Sequence, residues 1–356
     1  MTAADQTIPG VEALTSTTDV RLVPAAEWDA LVARLGGDDT YLRLGYHHAS
    51  VHLEAAPAHP VLLHLADASL GGELALPLLL RPLPDGSGWD ATSAYGYGGP
   101  VATGPIDAAR FADVLDTWAR ANDVACTFLR LHPLLANQSL LPSSAIDIEL
   151  GATVAWDVSA DRGELLPLMH THHRRAVRKA DRAELELRVT AGPSDLAGFR
   201  KLYDETMRRQ DATDFYFFGD AYWTALVEDC AEELVLVEGL LAGEVVAALL
   251  CFARGPWLHY HLGASADAAR NIGASNRCFL AAAEWAQSRG MTRFHLGGGV
   301  GAGTDSALFQ FKHRYDPLSE PQPFHIAKIV HDADRFRALA GTDSLDGYFP
   351  PWRAPA

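Results

Sequence analysis

The stretch Arg293-Phe-His-Leu-Gly-Gly-Gly299, followed after a short loop by Ser306-Ala-Leu-Phe-Gln-Phe-Lys-His-Arg-Tyr315, constrains this chain more than any other. It reads as a buried strand, a glycine-rich break and a helix, the kind of unit from which α/β folds are built. The helix places Lys312 just past the break. The chain has only four lysines against 25 arginines. A composition that so strongly favours arginine has kept lysine here. Lysine offers a compact ammonium with rotatable donors, whereas arginine offers a wide planar fork. A reaction centre that places one donor on one oxygen prefers the former; a surface lysine on a helix is the plain alternative.

At 356 residues the chain suggests two domains, since one core rarely grows past roughly 250–300 residues. With 48% hydrophobic and 21% charged residues, the composition is that of a soluble globular protein. The first twenty residues lack a basic start followed by an apolar core, so no signal peptide is expected. The best candidate for a membrane span, Leu234 to Phe252, is interrupted by Glu238, Gly239, Gly243 and Glu244, so no span is expected either. Cys126, Cys230, Cys251 and Cys278 form no Cys-x-x-Cys pair, which suggests neither a zinc site nor a disulfide framework and fits a reducing cytoplasm. The net charge of −16 argues against a protein coated in nucleic acid but leaves room for a local basic patch.

Residues 1–20 are small and polar and read as a loose arm. The periodicity predicts a helix over 25–35, strands over 61–65 and 74–80 joined at Gly71-Gly72, a short strand before Tyr95-Gly-Tyr-Gly-Gly-Pro100, a helix over 106–122 and a strand over 124–131. A second unit starts near Asp161. It reads as a basic helix over 165–182, a strand over 185–190, helices over 196–209 and 221–232, strands over 234–238, 245–252 and 257–262, a helix over 275–289, a strand over 293–296 and a helix over 305–315. A last strand, 322–330, and helix, 332–339, close the chain. Both halves share one order of elements, so the boundaries expected are 1–160 and 161–317, with 318–356 returning to complete the first domain.

Several groups could carry chemistry. Residues 172–182 set Arg174, Arg175, Arg178, Lys179 and Arg182 against Asp181 alone, either a solvated helix face or a patch for phosphates. Arg270-Asn-Ile-Gly-Ala-Ser275 is a partial phosphate loop at a helix start; the plain alternative is a helix capped by Ser275. Arg270, Gly273 and Ser275 are its cofactor-binding candidates. His259 and His261 alternate on one strand with Tyr260 opposite, and one of them could accept a proton from an attacking amine. Arg208 and Arg209 end a helix and could reach an anionic acceptor, or simply complement the helix C-terminus. The run Phe215-Tyr-Phe-Phe218 reads as packing. His170, His172 and His173 have no carboxylate or cysteine at ligand spacing, so no metal is expected. His47, His48 and His52 lie in a helix-like run without an assignable role.

Five stretches together resemble one family: Tyr97-Gly-Gly-Pro100; His173-Arg-Arg-Ala-Val-Arg-Lys-Ala180; Tyr203-Asp-Glu-Thr-Met-Arg-Arg209 with the aromatic run after it; His259-Tyr-His-Leu-Gly263; and the Gly-Gly-Gly end with Phe311-Lys-His-Arg-Tyr315. In this order they resemble the Fem-type aminoacyltransferases, which are tandem GNAT-fold proteins. The resemblance extends over about residues 160–330. It implies an α/β fold of two GNAT-like (acyl-CoA N-acyltransferase-like) domains in tandem. The activity it implies is transfer of an aminoacyl group from aminoacyl-tRNA to an amine, forming an amide, with no resident cofactor. The family motif Phe-Lys-x-x-Trp-Gly becomes Phe311-Lys312-x-x-Tyr315-Asp316 here, and no long heptad pattern marks the coiled-coil arm of some members. Both departures shift the expected acceptor from a peptidoglycan precursor to a small-molecule amine of specialised metabolism. Lys312 and the His259/His261 pair are the catalytic candidates. The basic helix, Arg208, Arg209, Tyr97, Tyr260, Phe311 and Tyr315 are the substrate-binding ones. Acyl-CoA as donor, in a GNAT acetyltransferase acting on a small amine, stays open as the alternative.

Overall fold

The structure, a computed structural model, describes residues 11–299 and 303–354, with the side chain of Arg270 outside the described set. In chain order the elements are β1 (Val20–Leu22), α1 (Ala25–Arg34), α2 (Leu44–Ser50), β2 (His59–Leu65), β3 (Glu73–Pro82), β4 (Trp89–Thr92), β5 (Val101–Thr103), α3 (Ala108–Ala121), β6 (Val124–Arg130), β7 (Ile146–Asp157), α4 (Thr171–Arg182), β8 (Glu186–Ala191), α5 (Ala197–Arg209), α6 (Asp220–Asp229), β9 (Leu234–Leu241), β10 (Glu244–Arg254), β11 (Trp257–Ser265), α7 (Asp267–Arg270), α8 (Ala274–Ser288), β12 (Arg293–Gly298), α9 (Ala307–His313), β13 (Gln322–Val330) and α10 (Ala333–Ala340). Two compact units result: Met1–Leu150 with Phe324–Ala356, and Gly151–Pro323.

The strand ladders of the two units follow one plan. In the first, β1, β2, β3 and β4 pair antiparallel in turn, β4 runs parallel to β6, and β6 is antiparallel to β13. In the second, β8, β9, β10 and β11 pair antiparallel, β11 runs parallel to β12, and β12 is antiparallel to β7. A parallel pair needs a crossover, and a helix supplies it each time: α3 before β6 and α8 before β12. The closing strand is the exception to simple repetition. The strand that follows β6 in sequence, β7, serves the second unit from Gly151 onward, and the strand that follows the second unit's helices, β13, closes the first.

Local sequence accounts for the crossover helices. Asp107 caps α3 by accepting the Arg110 N–H at 2.8 Å, and Phe111, Val114, Leu115 and Trp118 form its buried stripe at three- and four-residue spacing. In α8 the stripe is small: Cys278, Ala282, Ala283 and Ala286 are fully buried. Small side chains let the helix lie close to the sheet; a Cβ on Gly239 of β9 would meet the Cys278 Sγ at 3.0 Å. The second unit's core gathers Trp156, Phe279, Phe294, Phe309 and Tyr315 around this helix.

Among the elements that differ from the sequence expectation, three bear on the site. The basic helix begins at Thr171 rather than 165, because Pro167 sits in a separate one-turn helix, Leu166–Leu168, and the His170 side chain caps the new start by accepting the His172 N–H at 3.2 Å. Strand β7 goes unflagged by patterning: only Val154, Ala155 and Trp156 in it have buried apolar side chains. Gly273, not Ser275, is the N-cap of α8; Ser275 lies inside the helix.

Candidate active site

β11 and β12 stay paired for only three residues, Trp257↔Arg293, Leu258↔Phe294 and His259↔His295. β11 then runs on to Ser265, while β12 shifts register between His295 and Gly297 and follows β7. On its other side β11 carries a bulge. Leu250 faces Leu262 and Cys251 faces Tyr260, so His261 is the extra residue and the strand bends there. The two strands therefore part, and the glycine run lines one side of the opening. Gly297 has φ +73°, in the left-handed region, and a Cβ on Gly299 would collide with the Ser306 Oγ. Ser306 itself caps α9 by accepting the Phe309 N–H at 3.2 Å. The tight glycine break is what delivers α9 to the opening.

Phe309 and Lys312, three residues apart on α9, both point inward. The Lys312 Nζ donates to the Gly298 carbonyl at 2.7 Å and lies 5.5 Å from the centre of the Tyr260 ring. It thus spans the opening, from β12 to the aromatic face on β11. The residue is 6% exposed, and burial pushes its pKa down to about 8. An ammonium has three donors and Gly298 takes one. A dry cation that keeps its charge at neutral pH can hold an oxygen that becomes negative during a reaction.

His259 and His261 lie on the sheet face opposite Tyr260, as their alternation requires. Tyr260 packs on Phe279 of α8, whereas the His261 ring lies 4.6 Å from the Phe252 ring. His259 is buried, its Nδ1 at 3.3 Å from the Nδ1 of His295. The His261 Nε2 is 2.6 Å from the Tyr222 hydroxyl. Burial, with a further contribution from His259, pushes His261 down to about 3. It is neutral at working pH but a weak base, poorly matched to taking a proton at neutral pH.

The basic helix divides by direction. Arg174 turns back on its own N-terminus, donating to the Pro167 and Met169 carbonyls at 2.8 and 3.1 Å and to the Thr171 hydroxyl at 3.1 Å. Its guanidinium thereby ties the start of α4 to the turn before it, which draws it away from the exposed row of cations. Arg175, Arg178, Lys179 and Arg182 are exposed. α4 packs against the start of α8 so closely that a Cβ on Gly273 would strike the Ala176 carbonyl. The N-cap of α8, Gly273, has no side chain to offer the first amides of the helix, and these N–H groups lie next to the basic helix.

Other candidates have different placements. Arg209 donates to the Ser265 carbonyl at 2.5 Å and pairs with Asp267 at 3.3 Å, which pins α5 to the end of β11 and engages the guanidinium that was to meet an acceptor. Arg208 pairs with Asp204 at 4.0 Å and lies over Phe217 at 5.9 Å. Tyr315 is fully buried, stacked on Trp156 at 5.2 Å, with its hydroxyl accepting from Asn276 at 3.2 Å. It is a core residue and not a substrate contact. Phe311 packs edge-on against it at 5.4 Å. Tyr97 belongs to the first unit, where its ring meets Tyr41 and Phe324 at 5.2 and 5.6 Å. The aromatic run splits: Phe218 is buried, but Phe215 and Tyr216 are exposed, contrary to the packing expectation. His47 is a buried residue of the first unit, held by the Arg43 carbonyl at 2.8 Å and pushed down to about 4 by burial. Sequence reasoning passed over His295, Tyr222 and the Gly298 carbonyl. The first had a signal, being in the same short strand as the glycine run.

Residues 169–312 match the family model described as an acetyltransferase (GNAT) domain. Among solved structures, FemX resembles the chain with a TM-score of 0.63 at 14% identity, covering 91% of this chain and all of that one. The C-terminal domain of a putative lysylphosphatidylglycerol synthetase from Agrobacterium fabrum gives 0.53 at 15% identity over 89% of this chain and 95% of its own. L-PGS from Bacillus licheniformis gives 0.52 at 14% identity over 85% of this chain and 91% of its own. No curated protein matches by sequence. The class is thereby defined: the second unit is an acyltransferase domain of the GNAT type. The particular arrangement is a Fem-like tandem of two GNAT folds, and Lys312 closes the segment that the family match covers.

Proposed function

We propose that this chain is an aminoacyltransferase, which moves an aminoacyl group from aminoacyl-tRNA to the amine of a small-molecule or peptidoglycan-precursor acceptor. The observation that carries this reading is the buried Lys312 ammonium between the parted strands β11 and β12. A neutral amine attacks the ester carbonyl. The carbon–nitrogen bond forms, the carbonyl oxygen gains charge beside the ammonium, and the carbon–oxygen bond to the ribose then breaks. The amine loses one proton, and the departing ribose oxygen takes one up. A preset donor of this kind stabilises the transition state more than the ground state. The exposed cations Arg175, Arg178, Lys179 and Arg182, beside the glycine-capped start of α8, suit a polyanionic donor. On this reading the donor is a co-substrate, there is no resident cofactor, and the reaction takes place in the cytoplasm. Among the described residues no helix is long and apolar enough to cross a membrane.

The start of α8 also supports acyl-CoA as donor, because helix N-termini bind pyrophosphate well. The exposed row of four cations on α4 favours the longer polyanion, tRNA. Charged tRNAs and acetyl-CoA, each offered with a panel of primary amines and read by mass spectrometry, separate the two. Ribonuclease-sensitive amide formation is expected; turnover of acetyl-CoA that ribonuclease leaves untouched would reject the tRNA reading.

A further inference from the structure

Two carbonyls at the end of the lysine-bearing helix are taken up by the start of the basic helix. The His170 backbone N–H donates to the Arg314 carbonyl at 2.9 Å, and the His173 Nε2 lies 2.7 Å from the Phe311 carbonyl. A carbonyl only accepts, so Nε2 carries the proton. Nδ1 is then bare and accepts across 3.5 Å from the Nδ1–H of His172. The His173 ring is fully buried, with its centre 4.4 Å from Tyr315 and 4.9 Å from Phe311. Phe311 is the residue before Lys312. One imidazole thus joins the helix that presents Arg175, Arg178, Lys179 and Arg182 to the turn that aims the ammonium.

We propose that His173 is a positioning residue, which ties α4 to α9 through the Phe311 carbonyl and so keeps the Lys312 ammonium between Gly298 and Tyr260 when a polyanion engages α4. This deepens the acyl-transfer reading and rests on it. The groups facing the ring are His170, His172 and Arg314. Burial pushes His173 down to about 4 against the pull of the Phe311 carbonyl, with those three cationic or titratable neighbours adding to the fall. The clamp therefore keeps one protonation state throughout the neutral range.

The test uses the chain's four lysines, Lys179, Lys201, Lys312 and Lys328, whose side-chain nitrogens can be followed separately after selective 15N labelling. In the unaltered protein the Lys312 signal should titrate at about 8. In His173→Phe, which keeps a ring but has no donor, it should move toward the ordinary lysine value by about one unit or more; in His173→Gln, whose amide reaches the same carbonyl, it should stay. With charged tRNA and the best amine of the panel, His173→Phe should lose about 10–100-fold in kcat at an unchanged donor KM. The loss should vanish in a Lys312→Ala background. An unmoved Lys312 titration in His173→Phe, or the same kcat loss in both backgrounds, overturns the proposal. Should His173→Phe fail to fold, His173→Asn, whose shorter amide stops short of Phe311, takes its place; failure of both to fold marks His173 as core packing and also overturns it. The outcomes stay separable from the function. A moved titration combined with full activity of Lys312→Ala leaves the clamp standing and removes the catalytic role.

Discussion

Replacing Lys312 by methionine should make the protein more stable and less active at once. Methionine has a similar volume, and its thioether packs well over an aromatic ring such as Tyr260. Burial lowers the lysine from 10.5 when unperturbed to about 8 in the fold, so burying its charged form costs about 3 kcal/mol. The hydrogen bond to Gly298, worth about 1 kcal/mol, offsets part of this cost, and a net gain of about 2 kcal/mol remains for Lys312→Met. For a unit of this size that is roughly 4–8 °C in melting temperature. The pH dependence follows from the direction of the shift. Between about 8 and 10.5 the unfolded chain holds the proton and the folded one has released it, so the native protein gains stability as pH rises. At pH 9.5 the cost has fallen to about 1 kcal/mol, and the two melting curves should nearly coincide. Melts by calorimetry at pH 6.0 and 9.5, beside single-turnover transfer rates, give the answer. The rate should fall about 10²–10³-fold. A variant that melts below the native protein at pH 6.0, or by the same margin at both pH values, refutes the buried-ammonium argument.

Three further outcomes follow from the same geometry. If Arg175, Arg178, Lys179 and Arg182 each meet one phosphate, raising salt from 50 to 200 mM should weaken donor binding roughly 50–150-fold, and replacing all four by glutamine should abolish most of that dependence; filter binding at several salt concentrations checks both. Gly273→Ala places a Cβ against the Ala176 carbonyl at φ +78°, so it should cost about 2–4 kcal/mol and lower the urea midpoint clearly; a midpoint unchanged from native contradicts the packing of α8 on α4. Because His261 titrates at about 3, the rate should show no limb near pH 6.5 arising from it. Finding such a limb, and its loss in His261→Gln, restores the histidine as general base.

The sheet strands with a plain apolar pattern were legible in the sequence, and so was the strand–glycine–helix unit that carries Lys312. Strand β7 was not, because much of its length is exposed and only its second half packs. Two arginines of the candidate site have partners that the sequence does not announce. Arg209 and Arg174 are engaged by backbone carbonyls, at Ser265 and at Pro167 and Met169, and a carbonyl's position is a product of the fold that no side-chain pattern announces. Tyr315 shares its composition signal with a binding aromatic, and its full burial, stacked on Trp156 and packed against Phe279, shows it as core. The partners of Lys312, the Gly298 carbonyl and the Tyr260 ring, come from strands that diverge, which sequence spacing does not reveal.

The exchange of closing strands sets an order of events on the ribosome. The Gly151–Pro323 portion has all its strands once β12 has emerged, since β7 precedes it. The earlier portion must wait for residues 322–330, and until they arrive β6 offers a bare backbone edge to any passing chain. What is translated first is completed last, and a stall late in synthesis would endanger the early portion more than the late one.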